Sequence, residues 1–243
     1  MELTTAARVS LLDGFSVQRE DARAPAEVVP PGVQRLVARL CLCRRAARTA
    51  IAGELWPDVP EPQAHGSLRS ALWRVQKTVP GLVQVSGDCL SLADGVRVDV
   101  HELVTWAHRV ADPGSCLDDL VSADVPLRGE LLPGWYDDWV LFERERLRQV
   151  RMHALEVLAE RLAAAGRYGE AVEAAYAAVR AEPLRESAHR TVVRVHLAEG
   201  NVAEALRAHD VFRDLLREEL GVPPTEQMGR LVQGLTLLRR AAS

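Results

Sequence analysis

The C-terminal half of the chain repeats itself, and this repeat constrains the fold more than any other feature. Residues 165–174 align with residues 199–208. Three pairs of matching residues lie 34 positions apart: Gly166 and Gly200, Glu170 and Glu204, and Ala171 and Ala205. A period of this length predicts paired helices that stack on one another, because one pair alone cannot bury its apolar face.

The period is that of tetratricopeptide repeats. In such a fold the glycine allows the turn between paired helices, and the alanine lets two helices approach closely. The first copy matches the pattern better, with Tyr168, Ala178 and Pro183 at further positions. About three helix pairs are expected, enough for a stacked solenoid. Such repeats bind many kinds of partner or simply pack against a neighbouring domain, so they predict a fold without predicting a function.

Helical patterning also precedes the repeat. The spacing of apolar residues predicts a helix over His101–Val110 and a long helix from Asp138 to Ala165. Acidic residues at the first turn of the long helix suit the helix dipole. Six residues of the long helix are expected to face inward: Phe142, Leu147, Val150, Ala154, Leu158 and Leu162.

The N-terminal segment is typical of short strands. Val9–Leu12 and Phe15–Val17 flank the turn dipeptide Asp13-Gly14, which predicts a hairpin. A further extended piece is expected at Glu27–Val29, and a last short strand around residues 96–100.

Between these strands the chain has the order of a winged helix. The periodicity predicts helices over residues 32–43, 51–55 and 63–79. The second of these ends where Pro57 follows Trp56, because proline disfavours a helical residue before it. The segments 82–85 and 89–92 then alternate around a Ser-Gly-Asp turn and predict a second hairpin.

The third predicted helix of this region has two contrasting faces. Its apolar stripe consists of Leu68, Leu72, Val75 and Val79. The opposite face gathers Gly66, Ser70, Trp73, Arg74 and Lys77, with Arg69 on its flank. An aromatic ring and two cations on the solvent side of a helix are unusual for a face that serves packing alone.

The formal net charge of the chain is −4, but positive charge is concentrated between residues 30 and 80. The basic residues there are Arg35, Arg39, Arg44, Arg45, Arg48, Arg69, Arg74 and Lys77, and the acidic ones are Glu54, Asp58 and Glu61. Eight minus three leaves +5 on this segment, and therefore −9 on the rest of the chain. A local basic surface on an acidic protein favours contact with phosphates, and ordinary solvated helix faces are the alternative explanation.

Membrane, secreted and metal-binding proteins are disfavoured. No apolar run approaches the roughly 18–20 residues that span a bilayer, and the N-terminus lacks a signal-peptide pattern. We therefore expect a cytoplasmic, nucleoid-associated protein. The four cysteines have no Cys-x-x-Cys spacing and are expected to be small buried thiols. His189 and His196 could share a helix face but lack a third ligand, so neither a metal nor a cofactor is expected.

Enzymes are disfavoured as well. The sequence contains no phosphate-binding loop, no Gly-x-Ser-x-Gly, no His-Glu-x-x-His and no dinucleotide-binding glycine pattern. The acid pairs Asp118-Asp119 and Asp137-Asp138 lie where solvation of a loop or helix start explains them. The expected protein is not an enzyme.

Several segments together resemble a known family. Leu55-Trp-Pro-Asp58, Leu68-Arg-Ser-Ala-Leu-Trp-Arg-Val75, Gly87-Asp-Cys-Leu-Ser-Leu92 and Val98-Asp99 look like the DNA reader of Streptomyces antibiotic regulatory proteins. The stretch Gly129–Val140 (GELLPGWYDDWV), residues 164–174 and Glu218–Pro223 (EELGVP) resemble that family's bacterial transcriptional activator domain. The resemblance extends from about Val9 to Leu235 in the expected order.

The resemblance implies an α+β winged helix-turn-helix domain of the OmpR type at residues 8–98. An all-α, tetratricopeptide-like bacterial transcriptional activator domain would follow at residues 99–238. It also implies a transcriptional activator that binds direct repeats in promoter DNA and recruits RNA polymerase holoenzyme, at antibiotic or other specialised-metabolite genes. A homodimer on DNA is a possible assembly. Larger relatives append an ATPase and sensor region, which we do not expect in this chain.

The chain departs from the family pattern in three places. The wing has Leu90 and Ser91 where OmpR-type wings often carry arginine or tyrosine. Gly66 replaces the usual basic residue near the start of the helix predicted over residues 63–79, which we call the reading helix. The segment Arg44–Thr49 is more basic and less regular than the matching loops of the family.

The candidate DNA-binding residues have different expected roles. Arg69, Arg74 and Lys77 can reach phosphates or guanine edges, and the hydroxyls Ser67 and Ser70 are added as smaller contacts. Trp73 can pack on a sugar or a thymine methyl, or else form a half-buried contact with the wing. The resemblance implies that the indole N–H of Trp56 donates to a phosphate, and burial between helices is the alternative. Arg44, Arg45 and Arg48 are expected to contact the DNA backbone.

Two alternative functions remain open from the sequence. The chain could be a protein-interaction scaffold, in which case the basic face of the reading helix would be lost. It could instead be a DNA-binding regulator whose helical repeats sense a small metabolite, and a thermal-shift screen would detect such a ligand.

Overall fold

The structure is a computed structural model that describes residues 7–19, 29–125 and 127–241, with side chains described as far as residue 233. The described chain divides into two compact units. One contains the residues up to Leu103 together with Val125–Glu145, and the other contains Val104–Asp124 and the chain from Arg146 onward. The division at residues 8–98 and 99–238 stays a prediction.

The first unit opens with the expected hairpin. Strands β1 (Ala7–Ser10) and β2 (Ser16–Arg19) pair antiparallel, with Val9 opposite Val17. The turn between them contains Asp13 at φ 62° and Gly14 at φ 131°. A third strand, β6 (Arg97–Val98), pairs parallel with β1. Of the extended piece predicted at Glu27–Val29, only Val29 falls within the described residues, and its side chain is buried.

Three helices follow, as the periodicity predicts. Helix α1 (Pro31–Cys43) starts on a proline, which suits a first helical position because the missing N–H would be unpaired there. Helix α2 (Arg48–Leu55) ends at Trp56, and helix α3 (Glu61–Thr78) is the reading helix predicted above. The apolar residues whose three- and four-residue spacing predicts α1 are all buried: Val33, Leu36, Val37, Leu40 and Cys41.

A second sheet lies beside these helices. Strands β4 (Val83–Ser86) and β5 (Cys89–Leu92) form the predicted wing hairpin. A third strand, β3 (Arg45–Ala47), pairs antiparallel with the other edge of β5 and was not predicted from the sequence. The sheet order is therefore β3-β5-β4, and the basic segment before α2 is part of the winged sheet instead of a loop.

One buried carboxylate joins the first sheet to the next helix, α4 (Asp99–Ala111). The side chain of Asp99 accepts hydrogen bonds from the backbone N–H groups of Leu11 (2.8 Å), Leu12 (2.9 Å) and Val100 (2.7 Å). Burial raises the pKa of this carboxyl, although the three donors oppose the shift.

The segment 127–139 packs against the first sheet, far from it in sequence. The N–H of Leu132 donates to the carbonyl of Leu11 (2.9 Å), and the N–H of Asp13 donates to the carbonyl of Glu130 (2.9 Å). The indole of Trp135 stacks on Phe15 at 6.5 Å between ring centroids. We call residues 127–139 the strap. The strap belongs to the first compact unit, which we call the winged-helix unit, although its sequence resembles the activator domain.

The second unit is helical. After the short helix α5 (Leu117–Val121) and the long helix α6 (Asp138–Ala164) come four helices that carry the repeat. They are α7 (Tyr168–Ala181), α8 (Glu186–Glu199), α9 (Val202–Glu219) and α10 (Glu226–Ala241). Residues 146–164 of α6 lie in this unit, and its first turns lie in the other.

The repeat residues take the predicted structural roles. Gly166 and Gly200 adopt left-handed backbone conformations, with φ of 75° and 84°, at the turns before α7 and α9. Ala171 and Ala205 are fully buried, as expected where two helices approach closely. The core between α8, α9 and α10 centres on Phe212, which stacks on the ring of His189 at 4.1 Å.

Two expectations about side-chain burial are wrong in part. In α6, the inward residues Leu147, Ala154, Leu158 and Leu162 are buried as predicted, and Val150 is half-buried. Phe142, however, is 77% exposed, because it lies on the opposite side of α6 from Val140 and Leu147, which are both buried. Cys41 is buried as expected, whereas Cys116 is exposed and Cys43 and Cys89 are half-buried.

Within the described ranges, no group of histidine, cysteine or acidic side chains could hold a metal ion. No helix there is long and apolar enough to cross a bilayer.

Candidate nucleic-acid interface

The buried face of α3 fixes which side chains of this helix are available to a partner. Ala64, Leu68, Ala71 and Val75 are buried along one side. Leu72, predicted to lie on the apolar stripe, is only half-buried at its edge. Because the helix turns by about 100° per residue, the opposite side is the one predicted from the sequence.

The exposed side of α3 contains the candidate readers. Arg69, Ser70, Trp73, Arg74 and Lys77 are all exposed, and Ser67 is half-buried. No acidic side chain in the described part of the chain pairs with Arg69, Arg74 or Lys77. These three cations therefore keep their full capacity to bind an anionic partner.

Trp73 is the most unusual member of this face. Its side chain is 64% exposed, and the ammonium of Lys77, one turn later, lies 5.3 Å from the ring centroid. A cation at this distance is attracted to the electron-rich face of the indole and limits its rotation. The exposure does not support the alternative of a half-buried contact with the wing.

Ser70 is oriented by its own helix. Its hydroxyl donates to the carbonyl of Gly66 at 3.1 Å. The hydroxyl proton is therefore engaged, and the oxygen lone pairs remain free to accept a hydrogen bond from a partner.

A shallow groove of about 480 Å³ runs beside this face. It brings together four of the candidates: Trp56, Ser67, Ser70 and Arg74. The sequence reading missed Gln63, Gly32 and Val33, which line the same groove. Gln63 is a polar residue on α3 and could have been proposed, whereas no local signal placed the start of α1 beside α3. Trp56 is half-buried where it lines the groove. Its exposure lies between the two alternatives, an indole that donates to a phosphate and an indole buried between helices.

The other three candidates lie at the winged sheet. Arg44, at the C-cap of α1, and Arg45, on β3, are exposed. Arg48, in the first turn of α2, is half-buried. Arg45 is opposite Ser91 in the β3–β5 pairing, so both side chains point to the same face of the sheet. Leu90 is fully buried on the other face. The strand missed in the sequence thus supplies a cation next to a wing that lacks its own.

Two arginines counted in the basic segment are engaged inside the unit. Arg35 pairs with Asp137 of the strap. Arg39 donates to Glu54 of α2 (3.0 Å), and this pair raises the pKa of the guanidinium. Arg39 also lies 5.9 Å from the ring centroid of Trp139. The number of cations in this segment without an acidic partner among the described residues is therefore smaller than the charge count indicates, and there are six of them: Arg44, Arg45, Arg48, Arg69, Arg74 and Lys77.

Three of the four carboxylates in the acid pairs noted in the sequence form ion pairs. Asp137 pairs with Arg35, Asp118 with Arg167 at 2.6 Å, and Asp119 with Arg109 at 3.8 Å.

Comparison with known proteins identifies the family. Residues 99–236 match the model of the bacterial transcriptional activator domain, which is more than half of the chain. The regulatory protein AfsR of Streptomyces coelicolor is 32% identical over 216 residues, covering 84% of this chain and 22% of AfsR. AfsR of Streptomyces griseus is 31% identical over 207 residues, covering 79% of this chain and 21% of its own length. The chain thus spans about a fifth of these relatives.

The fold is shared with a solved structure. A structure of Mycobacterium tuberculosis EmbR in complex with a low affinity phosphopeptide superimposes with a TM-score of 0.72 at 19% identity. The match covers 97% of this chain and 66% of EmbR. It agrees with the winged helix and tetratricopeptide-like helices described above. The chain belongs to the bacterial transcriptional activator domain family and is a transcriptional regulator of the Streptomyces antibiotic regulatory protein type.

Proposed function

We propose that this protein binds promoter DNA sequence-specifically through the exposed side of α3 and activates transcription there. The observation that carries the proposal is the set of cations on that side. They have no acidic partner among the described residues, whereas Arg35 and Arg39 of the same unit are paired. Side chains that remain unpaired on a helix face suit the phosphates and base edges of a major groove.

The position of each residue supports a division of roles. Arg74 and Arg69 carry planar guanidiniums that can hold guanine O6 and N7 together, the commonest specific contact in the major groove. Ser70 can accept from a base amino group, since its own proton is engaged. Trp56 and Ser67 line the groove beside Arg74 and can contact a phosphate. Arg44, Arg45 and Arg48 add backbone contacts that strengthen binding without reading sequence.

A second part of the proposal concerns the helical unit. The family resemblance supports recruitment of RNA polymerase holoenzyme, binding of two protomers to direct repeats, and target genes of specialised metabolism. The acidic balance outside residues 30–80 disfavours a second DNA surface on the repeats. Stacked helix pairs instead offer surfaces suited to protein segments.

Selection from a random duplex library, followed by titration at several salt concentrations, tests DNA binding. We expect an enriched sequence and a log–log salt slope no steeper than about −5 per protomer, since each neutralised phosphate contributes about −0.9 and six cations are available. Binding that ignores both sequence and salt would refute the proposal.

Run-off transcription from the selected promoter tests activation. The full chain is compared with a chain that ends after Glu145, at equal promoter occupancy measured by footprinting. We expect occupancy without activation from the shortened chain. Equal transcript yield would show that the winged-helix unit recruits polymerase by itself.

A further inference from the structure

We infer that Trp73 contacts the 5-methyl group of a thymine. The operator of this protein therefore contains a thymine at the base pair that Trp73 faces. This inference rests on the proposed function and names one determinant of its specificity.

The first step is the position of Trp73 on the helix. It projects about 170° away from the mean direction of the four buried residues, as 3.6 residues per turn require. A side chain at the middle of a helix face in the major groove meets base edges, whereas side chains at its flanks meet the backbone. A central position favours a base contact over a sugar contact.

The second step is chemical. Between Arg69 and Lys77, Trp73 is the only exposed apolar side chain among the described residues. An indole ring cannot accept a hydrogen bond from a base amino group and offers a single N–H donor. The large apolar surface has one counterpart on the major-groove edge, the methyl group of thymine.

The third step concerns the space around the Trp73 ring and the position of the ring. Gly66 lies two turns before Trp73 on the same side and has no side chain, and Ser70 lies between them with a small one. The ring can therefore approach a base pair without a neighbour in the way. The ammonium of Lys77 lies 5.3 Å from the ring centroid, and its attraction to the ring favours this position of the side chain.

The test uses the full chain and an operator obtained by selection. Each thymine is replaced singly by deoxyuridine, which removes only the methyl group, and the dissociation constant is measured by fluorescence anisotropy. We expect one position in each half-site where the change weakens wild-type binding about fourfold, the effect of exposing one methyl group. Trp73→Gln should abolish that difference at the same position while the melting temperature stays unchanged.

Two further variants keep the outcome decisive. Trp73→Phe retains an aromatic ring and should retain the deoxyuridine effect, and Arg74→Gln should weaken binding but leave the effect intact. Insensitivity to deoxyuridine at every position would overturn the inference, as would an effect that survives Trp73→Gln. Equal weakening of operator and random duplex by Trp73→Gln, without a methyl effect, would assign the ring to a sugar contact and also overturn it. Failure to select any sequence would instead refute the proposed function.

Discussion

At the scale of single residues, the arginines of the winged-helix unit fall into two groups that the sequence does not distinguish. Arg35 and Arg74 have the same chemistry, yet Arg35 pairs with Asp137 and Arg74 faces the groove beside Trp56. The pairing joins residues that are 102 positions apart. Helical periodicity predicted the exposed face of α3, but no local pattern could assign partners across that separation.

Arg74→Ala should weaken binding to the selected operator by about 1–3 kcal/mol, the value of a good base contact. The fold should be intact, because the side chain is exposed and has no acidic partner in the described residues. Anisotropy titration and thermal unfolding measure both effects. Arg207→Ala, on an exposed helix position of α9, is the matched control and should leave affinity unchanged. Melting of the domain with unaltered affinity would mean that Arg74 has a structural role.

The buried side of α3 gives the opposite kind of prediction. Leu68 is 1% exposed, so Leu68→Ala should cost about 2–5 kcal/mol of unfolding free energy. Leu72→Ala should cost about half of this, because Leu72 is only half-buried. Urea denaturation of the two variants gives the comparison. Equal losses would show that the edge of the stripe is packed as tightly as its centre.

At the scale of elements, the strap lies so close to Asp13 at residue 129 that a side chain there would contact the carboxylate. Gly129 has φ 93°, and a Cβ added there would lie 2.6 Å from the carboxylate of Asp13, which accepts the N–H of Glu130. Gly134 has a similar φ of 81° but open space around it. Gly129→Ala should therefore lower the unfolding free energy by about 1 kcal/mol more than Gly134→Ala, since it displaces a hydrogen-bonded side chain. Thermal unfolding distinguishes them, and equal effects would mean that Asp13 moves away at no cost.

The packing of α8 on α9 predicts a dependence on pH. Burial against Phe212 lowers the pKa of His189, although the carbonyl of Pro183 and Glu186 oppose the shift. The folded state thus holds a neutral imidazole, and its stabilising effect is present above the unfolded pKa of about 6.5 and lost as pH falls through the lower folded pKa. The melting temperature should therefore fall from about pH 7.5 to about pH 5.

His189→Gln should reduce this fall, whatever its effect on stability at neutral pH, because glutamine does not titrate. His153→Gln replaces an exposed histidine of α6 and should leave the fall as it is in the wild type. If both variants retain the full change, titration of His189 does not cause it.

Long elements were predictable and short ones were not. Residues of α1 and α3 repeat their apolar spacing over several turns, and the 34-residue period predicted the stacking of α7 to α10. Strand β3 has three residues, and its strand state depends on pairing with β5 rather than on its own composition. Phe142 was misplaced because it lies five residues before Leu147, off the three- and four-residue spacing of the buried stripe, on which Val140 lies instead.

At the scale of the whole molecule, the family match and the compact units do not share a boundary. The matched region begins at residue 99, yet residues 99–103 and 125–145 lie in the winged-helix unit. The chain therefore passes between the units three times, after residues 103, 124 and 145. Sequence similarity follows the order of motifs along the chain, and it cannot show that a segment has packed against an earlier sheet.

This arrangement makes the end of the winged-helix unit testable. A chain ending at Val100 keeps β1 to β6 and α1 to α3 but loses Glu102, the partner of Arg8, and the whole strap. The carbonyl of Leu11 and the N–H of Asp13 then lose their partners, and Arg35 loses Asp137. Arg144, which donates to the carbonyls of Leu131, Leu132 and Trp135 and so holds the strap to α6, is absent as well.

We therefore expect the chain ending at Val100 to be several kcal/mol less stable than one ending after Glu145, because it loses the buried side chains of Leu131 and Leu132, and burying one such side chain contributes about 1.5–3 kcal/mol. Thermal unfolding of the longer chain should show a cooperative transition, which is weakened or lost in the shorter chain. The shorter chain should also bind the operator more weakly. Addition of the Asp13→Ala substitution to the longer chain should move its stability part of the way towards the shorter one, because it removes one contact of the strap. Equal stability and equal affinity of the two chains would show that the winged helix ends before residue 100, and that the strap binds a unit which is already complete.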